Sequence, residues 1–383
     1  MLDKHYKIAF VPPGGILLKQ DLTLQKMALY FKKSTNINVD LIYIKDESPF
    51  ENENIFSLYI LCSDEKEMIQ YIKNQTYDLI IHRAWMHRYS FASKLAKEFE
   101  NIVFYIKDWI DDMPREKYQF LFDTDEDYDA IKTIFESNRK ILSHYGKSYT
   151  NKWAKKYNIN RNNFIHFPEY CLEENFIKRD TIEYKKRIKL LYAGVVVNTN
   201  RPNELSEARY IFDIMKKITT QKIEINFVTL PRYYDIMFDK QNKNLWSDYL
   251  YEHYFNHYFS IKRGGVLDST LFNGYHFGIP GGLYYNNRDV TCINACNAIT
   301  SKISLYLEAG IPLLVNKKWK ELAKLVIEND IGILINNGDL DNINKKLKIS
   351  QKRYMQLVEN VYKFREKFTY NNKTMKPILE MLA

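Results

Sequence analysis

The sequence KLLYAG at residues 189–194 decides the fold class of this chain. It is a short apolar strand pattern that ends in a glycine turn, and a helical pattern follows at residues 203–217. Further strands are predicted at 223–228, 313–315 and 332–335, with helices at 302–309 and 320–329. Alternation of strands and helices is typical of a parallel sheet with both faces covered by helices.

The first half of the chain carries the same alternation. Its first strand, residues 8–11, precedes PPGG at 12–15 and a helix at 21–33. Further strands are predicted at 39–44, 58–62, 79–81, 102–105 and 141–143, separated by helices that include 64–74, 91–99 and 147–157. The whole pattern predicts an α/β protein with two doubly wound, Rossmann-like domains facing a central cleft.

The charged stretch at 173–186 interrupts the pattern, and we place the domain boundary there. The predicted domains are 1–178 and 187–349. Residues 350–383 form a C-terminal amphipathic helix, because apolar residues recur at helical spacing. The aromatic stretch 239–259 receives no assignment.

Composition narrows the class of protein. The formal net charge of +9 favours an anionic partner, but no dense basic run occurs, so we expect no nucleic-acid binding. Four irregularly placed cysteines predict neither a disulfide framework nor a zinc site. No signal peptide and no apolar stretch of about 20 residues is visible, which favours the cytoplasm. Peripheral association with the inner face of the membrane and homo-oligomerisation stay open.

The sequence TSKISLYLEAGIP at residues 300–312 is the most informative stretch for chemistry. Thr300 or Ser301 can cap a helix that stops at Gly310. Lys302 then lies in the first turn, where the helix dipole disfavours a cation. A phosphate or diphosphate bound to the backbone N–H groups, the hydroxyls and the ammonium would remove that conflict. A lysine extended into water is the alternative.

The pattern S-K-x-S-L-Y-L-x-A-G-I-P at 301–312 resembles the donor-site segment of bacterial GT-B glycosyltransferases. It looks closest to the branch that glucosylates serine-rich adhesins and to related surface-glycan sugar transferases. GGLYYN at 281–286, and the stretch from 140–143 to 162–168, are also similar to segments of those enzymes. The resemblance implies a retaining hexosyltransferase that uses a UDP-sugar and neither a metal nor a cofactor. Thr300, Ser301, Lys302 and Ser304 would then form the donor site.

The resemblance also implies that domain 187–349 binds the nucleotide-sugar and that domain 1–178 lies on the acceptor side. The implied acceptor is a glycan, a lipid-linked glycan or a protein. Two departures from the family pattern concern the donor. Leu305 stands where many retaining relatives place a ribose-binding glutamate, and Glu308 is not an obvious replacement. Arg201 is a second phosphate candidate, because a guanidinium binds phosphate through two hydrogen bonds, but the lysine that often follows it is missing. A solvated arginine is the alternative.

Other candidates follow strand ends. Gly15 permits close approach of a sugar or phosphate to the backbone. His82 resembles the histidine that relatives place near the transferred sugar, and one of Tyr233 and Tyr234 is a candidate for stacking on the base. Asp108 and Asp111 are candidates for binding the acceptor hydroxyl or removing its proton. The structural alternatives are a tight turn for Gly15, a hydrogen-bonded structural histidine for His82 and a loop cap for Asp108 and Asp111.

Three other classes of function stay open. A sugar-nucleotide-processing enzyme such as an epimerase needs the same diphosphate site. A non-catalytic partner subunit of a glycosyltransferase would bind nucleotide without turnover, and a nucleic-acid-binding protein would bind in a strongly salt-dependent way. The fingerprint G-x-G-x-x-G is absent after both first strands, which argues against a dinucleotide-binding oxidoreductase.

Overall fold

The computed structural model describes residues 4–12, 22–34, 36–44, 54–85, 88–107, 115–116, 119, 126–179, 184, 187–194, 196, 207–264, 269–286, 292 and 295–382. It divides the chain into two compact units. The first contains residues 1–170 and 370–383, and the second contains 171–369. The division after 170 lies ahead of the charged stretch that we predicted as the boundary, because the segment that follows Tyr170 is hydrogen-bonded within the second unit.

The first unit is built on a parallel sheet of seven strands in the order β3-β2-β1-β4-β5-β6-β7. The strands are β1 (Tyr6–Val11), β2 (Ile37–Ile44), β3 (Leu58–Cys62), β4 (Leu79–Ala84), β5 (Ile102–Ile106), β6 (Lys140–Ser143) and β7 (Phe164–His166). The helices are α1 (Leu22–Lys32), α2 (Glu65–Lys73), α3 (Tyr89–Glu98), α4 (Glu126–Glu136) and α5 (Lys147–Lys156). β4 and β5 are buried along their whole length, as expected for central strands covered on both faces.

The second unit repeats this plan with six parallel strands in the order β10-β9-β8-β11-β12-β13. These are β8 (Lys189–Ala193), β9 (Glu224–Thr229), β10 (Phe259–Arg263), β11 (Phe277–Gly278), β12 (Leu313–Asn316) and β13 (Gly332–Ile335). The helices are α6 (Glu207–Thr219), α7 (Pro231–Phe238), α8 (Ser247–Phe255), α9 (Lys302–Glu308), α10 (Lys320–Asn329), α11 (Ile343–Lys346) and α12 (Gln351–Lys367). The predicted fold class, two parallel Rossmann-like sheets with helices, is confirmed.

The C-terminal segment is two helices rather than the single helix predicted over 350–383. α12 belongs to the second unit, whereas α13 (Asn372–Leu382) belongs to the first. The chain passes between the units twice, at 170–171 and at 369–370. On the second-unit side of these passages, Cys171 and Thr369 form a parallel β-bridge. Within the described ranges, every helix is too short or too polar to cross a bilayer.

Each sheet reverses its strand order at one place, between β1 and β4 in the first unit and between β8 and β11 in the second. In the second sheet a tyrosine hydroxyl bridges this gap. Tyr306 Oη accepts a hydrogen bond from Ala193 N at 2.8 Å and donates one to the Ile279 carbonyl at 2.9 Å. In an unbroken parallel ladder these two backbone groups would bond to each other directly. A Cβ on Gly278 would overlap the Tyr306 ring, so the glycine makes room for it.

A histidine occupies the corresponding place in the first sheet. His82 on β4 lies in register with Val11 on β1, and its Nδ1 is 3.0 Å from the Val11 carbonyl, so Nδ1 carries the proton. The ring is fully buried and makes edge contacts with Phe91 and Phe104. Burial lowers the pKa of His82 to about 3, because the charged imidazolium would lose its hydration.

Replacing Tyr306 with phenylalanine tests the bridge. The substitution leaves the Ala193 N–H and the Ile279 carbonyl unsatisfied and buried, so we expect a loss of about 2–4 kcal/mol in the free energy of unfolding. Urea denaturation measures it. Tyr251→Phe, which removes a hydroxyl from a 63 % exposed side chain, is the control and should change stability by less than about 0.5 kcal/mol. An equal effect of the two variants would contradict the bridge.

The low pKa of His82 predicts how stability varies with pH. The unfolded imidazole takes up a proton near pH 6.5 and the folded one only near pH 3, so His82 costs no stability above about 6.5 and an increasing amount below it. Its contribution is about 1.4 kcal/mol per pH unit between those values. His82→Asn, which keeps a donor for Val11, should flatten the pH dependence of urea unfolding by that amount. His5→Gln, at an exposed position, should leave the dependence unchanged.

Candidate functional site

The carboxyl ends of parallel strands form the ligand-binding edge of a doubly wound sheet, and the crevice opens where the strand order reverses. In the second unit this point lies between the ends of β8 and β11. Gly194 follows β8 with a φ of +147°, a conformation that L side chains rarely adopt. A Cβ on Gly194 would lie 2.6 Å from Lys302 Cε, so the lysine side chain runs directly across this backbone.

Lys302 is held in place by Tyr192, the second residue before that glycine. The lysine Nζ donates to Tyr192 Oη at 2.9 Å and lies 4.3 Å from the centre of the tyrosine ring. Tyr192 is itself buried, in ring contact with Phe227. The half-buried lysine therefore lies along the protein rather than extending into water, and its ammonium is fixed at the crevice.

The hydroxyls around Lys302 are used differently from the sequence-based expectation. Thr300 Oγ1 donates to the Pro280 carbonyl at 2.7 Å, which ties the start of α9 to the end of β11. Ser301 is the N-cap residue of α9, but no side-chain capping hydrogen bond forms and its backbone is already helical. Ser304 is fully buried and its Oγ donates to the Ser301 carbonyl at 3.0 Å. Lys302 and Ser301 are thus the half-buried polar residues of α9 that lie at the crevice.

The carboxylate of Glu308 is engaged elsewhere. It is fully buried, and its two oxygens accept hydrogen bonds from Leu172 N at 2.7 Å and Asn175 Nδ2 at 3.3 Å. It therefore anchors the segment that follows Cys171, and it does not replace the glutamate that Leu305 displaces. Leu305 is buried as well.

The segment GGLYYN at 281–286 is fixed by two asparagines. Asn316, at the end of β12, donates to the Leu283 carbonyl at 2.7 Å and to Asn337 Oδ1 at 2.8 Å. Asn337 in turn bonds to both the N–H and the carbonyl of Tyr285. A Cβ on Gly281 would lie 2.8 Å from Trp319 Cζ3, so this glycine lets the indole pack against the backbone. These contacts therefore fix the loop after β11 at the same edge of the sheet.

Tyr233 lies in the first turn of α7, which follows β9 at this same edge, and it is half-buried. The neighbouring Tyr234 stacks on Phe238 at 4.2 Å within the helix, so Tyr233 stays the candidate of the two. In the first unit, His82 is the candidate described above. Gly15, Asp108, Asp111 and Arg201 lie outside the described residues. No three His, Cys, Asp or Glu side chains gather as metal ligands in the part of the chain that is described.

Tyr192 and Tyr306 are site residues that the sequence analysis did not single out. Tyr192 positions the lysine, and Tyr306 joins the ends of β8 and β11. The sequence does show that Tyr192 lies two residues before the glycine. At that position its side chain lies on one face of the sheet, near the end of the strand. Tyr306 had no such signal, because its hydroxyl meets the strand ends only in the folded chain.

Comparison with known proteins agrees with the fold described above. Residues 283–381 match the family model of the glucosyltransferase 3-like C-terminal domain. No curated protein matches the sequence. The fold is similar to that of HepE from Anabaena in complex with UDP and glucose, with a TM-score of 0.64, 10% identity and 99% of each chain covered.

Two further solved structures share the fold along nearly the whole chain. One is an alpha-glucosyltransferase in complex with UDP and DNA, with a TM-score of 0.59, 12% identity and 99% of each chain covered. The other is WaaG, a glycosyltransferase of lipopolysaccharide biosynthesis, with a TM-score of 0.56, 11% identity and 98% of each chain covered. The predicted resemblance is thus confirmed: the chain has the fold of the GT-B glycosyltransferases, and its residues 283–381 are similar to the C-terminal domain of glucosyltransferase 3-like proteins.

Proposed function

We propose that this protein is a metal-independent, retaining hexosyltransferase that transfers a sugar from a UDP-sugar to a glycan, lipid-linked glycan or protein acceptor. The observation that carries the proposal is the Lys302 ammonium, held by Tyr192 at the point where the second sheet reverses its strand order. In doubly wound sheets this point is where nucleotide ligands bind.

The chemistry of the donor explains why a fixed cation belongs there. When the bond between sugar and diphosphate breaks, negative charge develops on the leaving diphosphate. An ammonium that already points at that charge stabilises the transition state without reorganising. Tyr192 keeps the ammonium in position by a hydrogen bond and by contact with the ring, and Gly194 leaves room for its stem. Lys302, with Arg201 as a second cation, would take the place of a metal ion.

Three lines of similarity support a sugar-nucleotide donor. The family match covers Lys302, and the match begins in the loop fixed by Asn316 and Asn337. HepE was solved with UDP and glucose, and the alpha-glucosyltransferase with UDP. We therefore assign UDP as the nucleotide, with Ser301 and the α9 backbone beside the phosphates and Tyr233 near the base.

The remaining candidates fall on the acceptor side of the proposal. His82, whose ring is fully buried and whose Nδ1 is occupied by Val11, would hold the ends of β1 and β4 behind the transferred sugar rather than contact it. Asp108 or Asp111 would bind the acceptor hydroxyl, and Gly15 would allow close approach to the backbone. A partner subunit that binds nucleotide without turnover is the second candidate function, because Leu305 is buried and Glu308 is committed to Leu172.

Lys302→Ala tests the donor site directly. Loss of one charge-assisted hydrogen bond to the diphosphate should weaken UDP binding by about tenfold to a hundredfold. Isothermal titration calorimetry with UDP measures the affinity, and GDP and CMP serve as competing nucleotides. Lys324→Ala removes a 66 % exposed lysine from the same unit and should leave UDP affinity unchanged. The donor assignment would be contradicted if Lys302→Ala bound UDP as tightly as the wild type, or if the wild type bound no nucleotide.

Gly194→Ala tests the approach of Lys302 to the backbone. The new Cβ displaces the lysine stem and strains a residue with positive φ, so we expect both weaker UDP binding and a loss of about 1–3 kcal/mol in unfolding free energy. Gly338→Ala is the matched control, because a Cβ there meets nothing within 4 Å. Calorimetric titration and urea denaturation of both variants give the answer. Unchanged UDP affinity in Gly194→Ala would separate this glycine from the donor site.

A further inference from the structure

Basic side chains gather at the carboxyl edge of the first sheet. Arg83 on β4 is in register with Tyr105 on β5, and Ile106 is in register with Ser143 on β6. Lys107 and His144 each follow one residue after that second pair. Because alternate residues of a strand share a face, Arg83, Lys107 and His144 leave the sheet on one side.

The two permanent cations of this group are held firmly. Arg83 is 5 % exposed, and its guanidinium lies 5.1 Å from the centre of the Tyr105 ring. Lys107 donates its backbone N–H to the Ala84 carbonyl at 3.1 Å and accepts from Tyr89 Oη at 2.8 Å. The Arg83 guanidinium and the Lys107 backbone are therefore fixed at the end of β5, where the Lys107 side chain begins.

His144 lies beside them with an unused polar atom. Its ring is 4 % exposed and stacks on Tyr145 at 4.4 Å. Its Nδ1 is buried and has no hydrogen-bond partner among the described residues. Burial, together with Lys107, Arg83 and His166, holds the pKa of His144 well below its usual range. The imidazole is therefore neutral and lies in a positive field.

A second polar atom without a hydrogen-bond partner among the described residues lies on the same face. Trp85 is two residues after Arg83, and its Nε1–H is buried without a hydrogen-bond partner in the described part of the chain. Buried polar groups are nearly always hydrogen-bonded, so each exception requires an explanation. The unpaired Trp85 N–H beside two cations points to a ligand that accepts hydrogen bonds and carries negative charge, and His144 Nδ1 can join it as a donor once the ring is protonated.

We propose that Arg83, Trp85, Lys107 and His144 bind an anionic group of the acceptor, a phosphate or a carboxylate. The assignment to the acceptor rests on the proposed function, in which the second unit holds the donor. An oxyanion offers several lone pairs, which match the planar Arg83 guanidinium, the Lys107 ammonium and the Trp85 N–H. Its charge also favours protonation of His144, which then donates a further hydrogen bond.

The test is an NMR titration of the full chain, with inorganic phosphate and acetate as probes and sodium chloride at equal ionic strength as the blank. The ¹⁵N shifts of the His144 ring report its protonation. We expect phosphate or acetate to convert the ring toward the charged form at neutral pH. Lys107→Gln and Arg83→Gln should each weaken this effect by about tenfold. Lys97→Gln, which removes an exposed charge from α3, should not alter it.

The outcomes separate this inference from the donor assignment. His144 shifts that stay constant, or that chloride reproduces at equal ionic strength, overturn the anion site. Lys107 follows the last residue of β5, so Lys107→Gln changes no residue within the strand. This variant therefore still tests the site if Arg83→Gln fails to fold. UDP is titrated into the same samples. UDP binding without a phosphate effect removes only this inference, whereas a phosphate effect without UDP binding removes the proposed function.

The source of the anion is decided by one further arm. Saturating UDP is added to the wild-type protein, and the His144 ring is observed again. If UDP shifts the ring as strongly as phosphate does, the anion bound at His144 is the donor diphosphate and the acceptor assignment is overturned. If the ring stays unchanged with UDP bound while phosphate added afterwards still shifts it, the two anions bind at separate sites, as the acceptor assignment requires.

Discussion

The reversal of strand order in each sheet is the constraint on which the rest of the structure depends. Where two neighbouring parallel strands lead their connections in opposite directions, the loops diverge and a crevice opens. Backbone groups at that edge still require partners, because buried unpaired ones cost stability. Tyr306 supplies the partner in the second sheet and His82 in the first. Both are buried, and both leave the strand ends fixed beside an open space.

The two units use their crevices in related ways. The second presents one lysine that a tyrosine holds in place, and the first presents an arginine, a lysine and two buried polar atoms without a partner among the described residues. In both, an aromatic ring lies against a cation and holds it at the edge of the sheet. In the proposed reaction, the cation of the second unit would face the nucleotide and those of the first the anion of the acceptor.

The strand and helix order of the second unit was predictable wherever apolar runs were long and punctuated by glycine, as at 189–194 and 313–335. The stretch 239–259 was not, because α8 is so rich in tyrosine that its composition favours a strand while its packing makes a helix. β11 has two residues and leaves no periodic pattern. For the site, the motif predicted Lys302, but the hydrogen-bond partners of Thr300 and Glu308 are distant in sequence and could not be predicted from it.

The double passage between the units has a consequence for biosynthesis. Residues 370–382 complete the first unit, since the Tyr370 ring packs on Tyr170 at 5.5 Å and Asn372 bonds to Tyr30. These residues leave the ribosome after the whole of 171–369, which is a continuous insertion. The first unit therefore stays without its last helix until the whole second unit has been synthesised. The unit whose synthesis begins first is therefore the unit that completes its fold last.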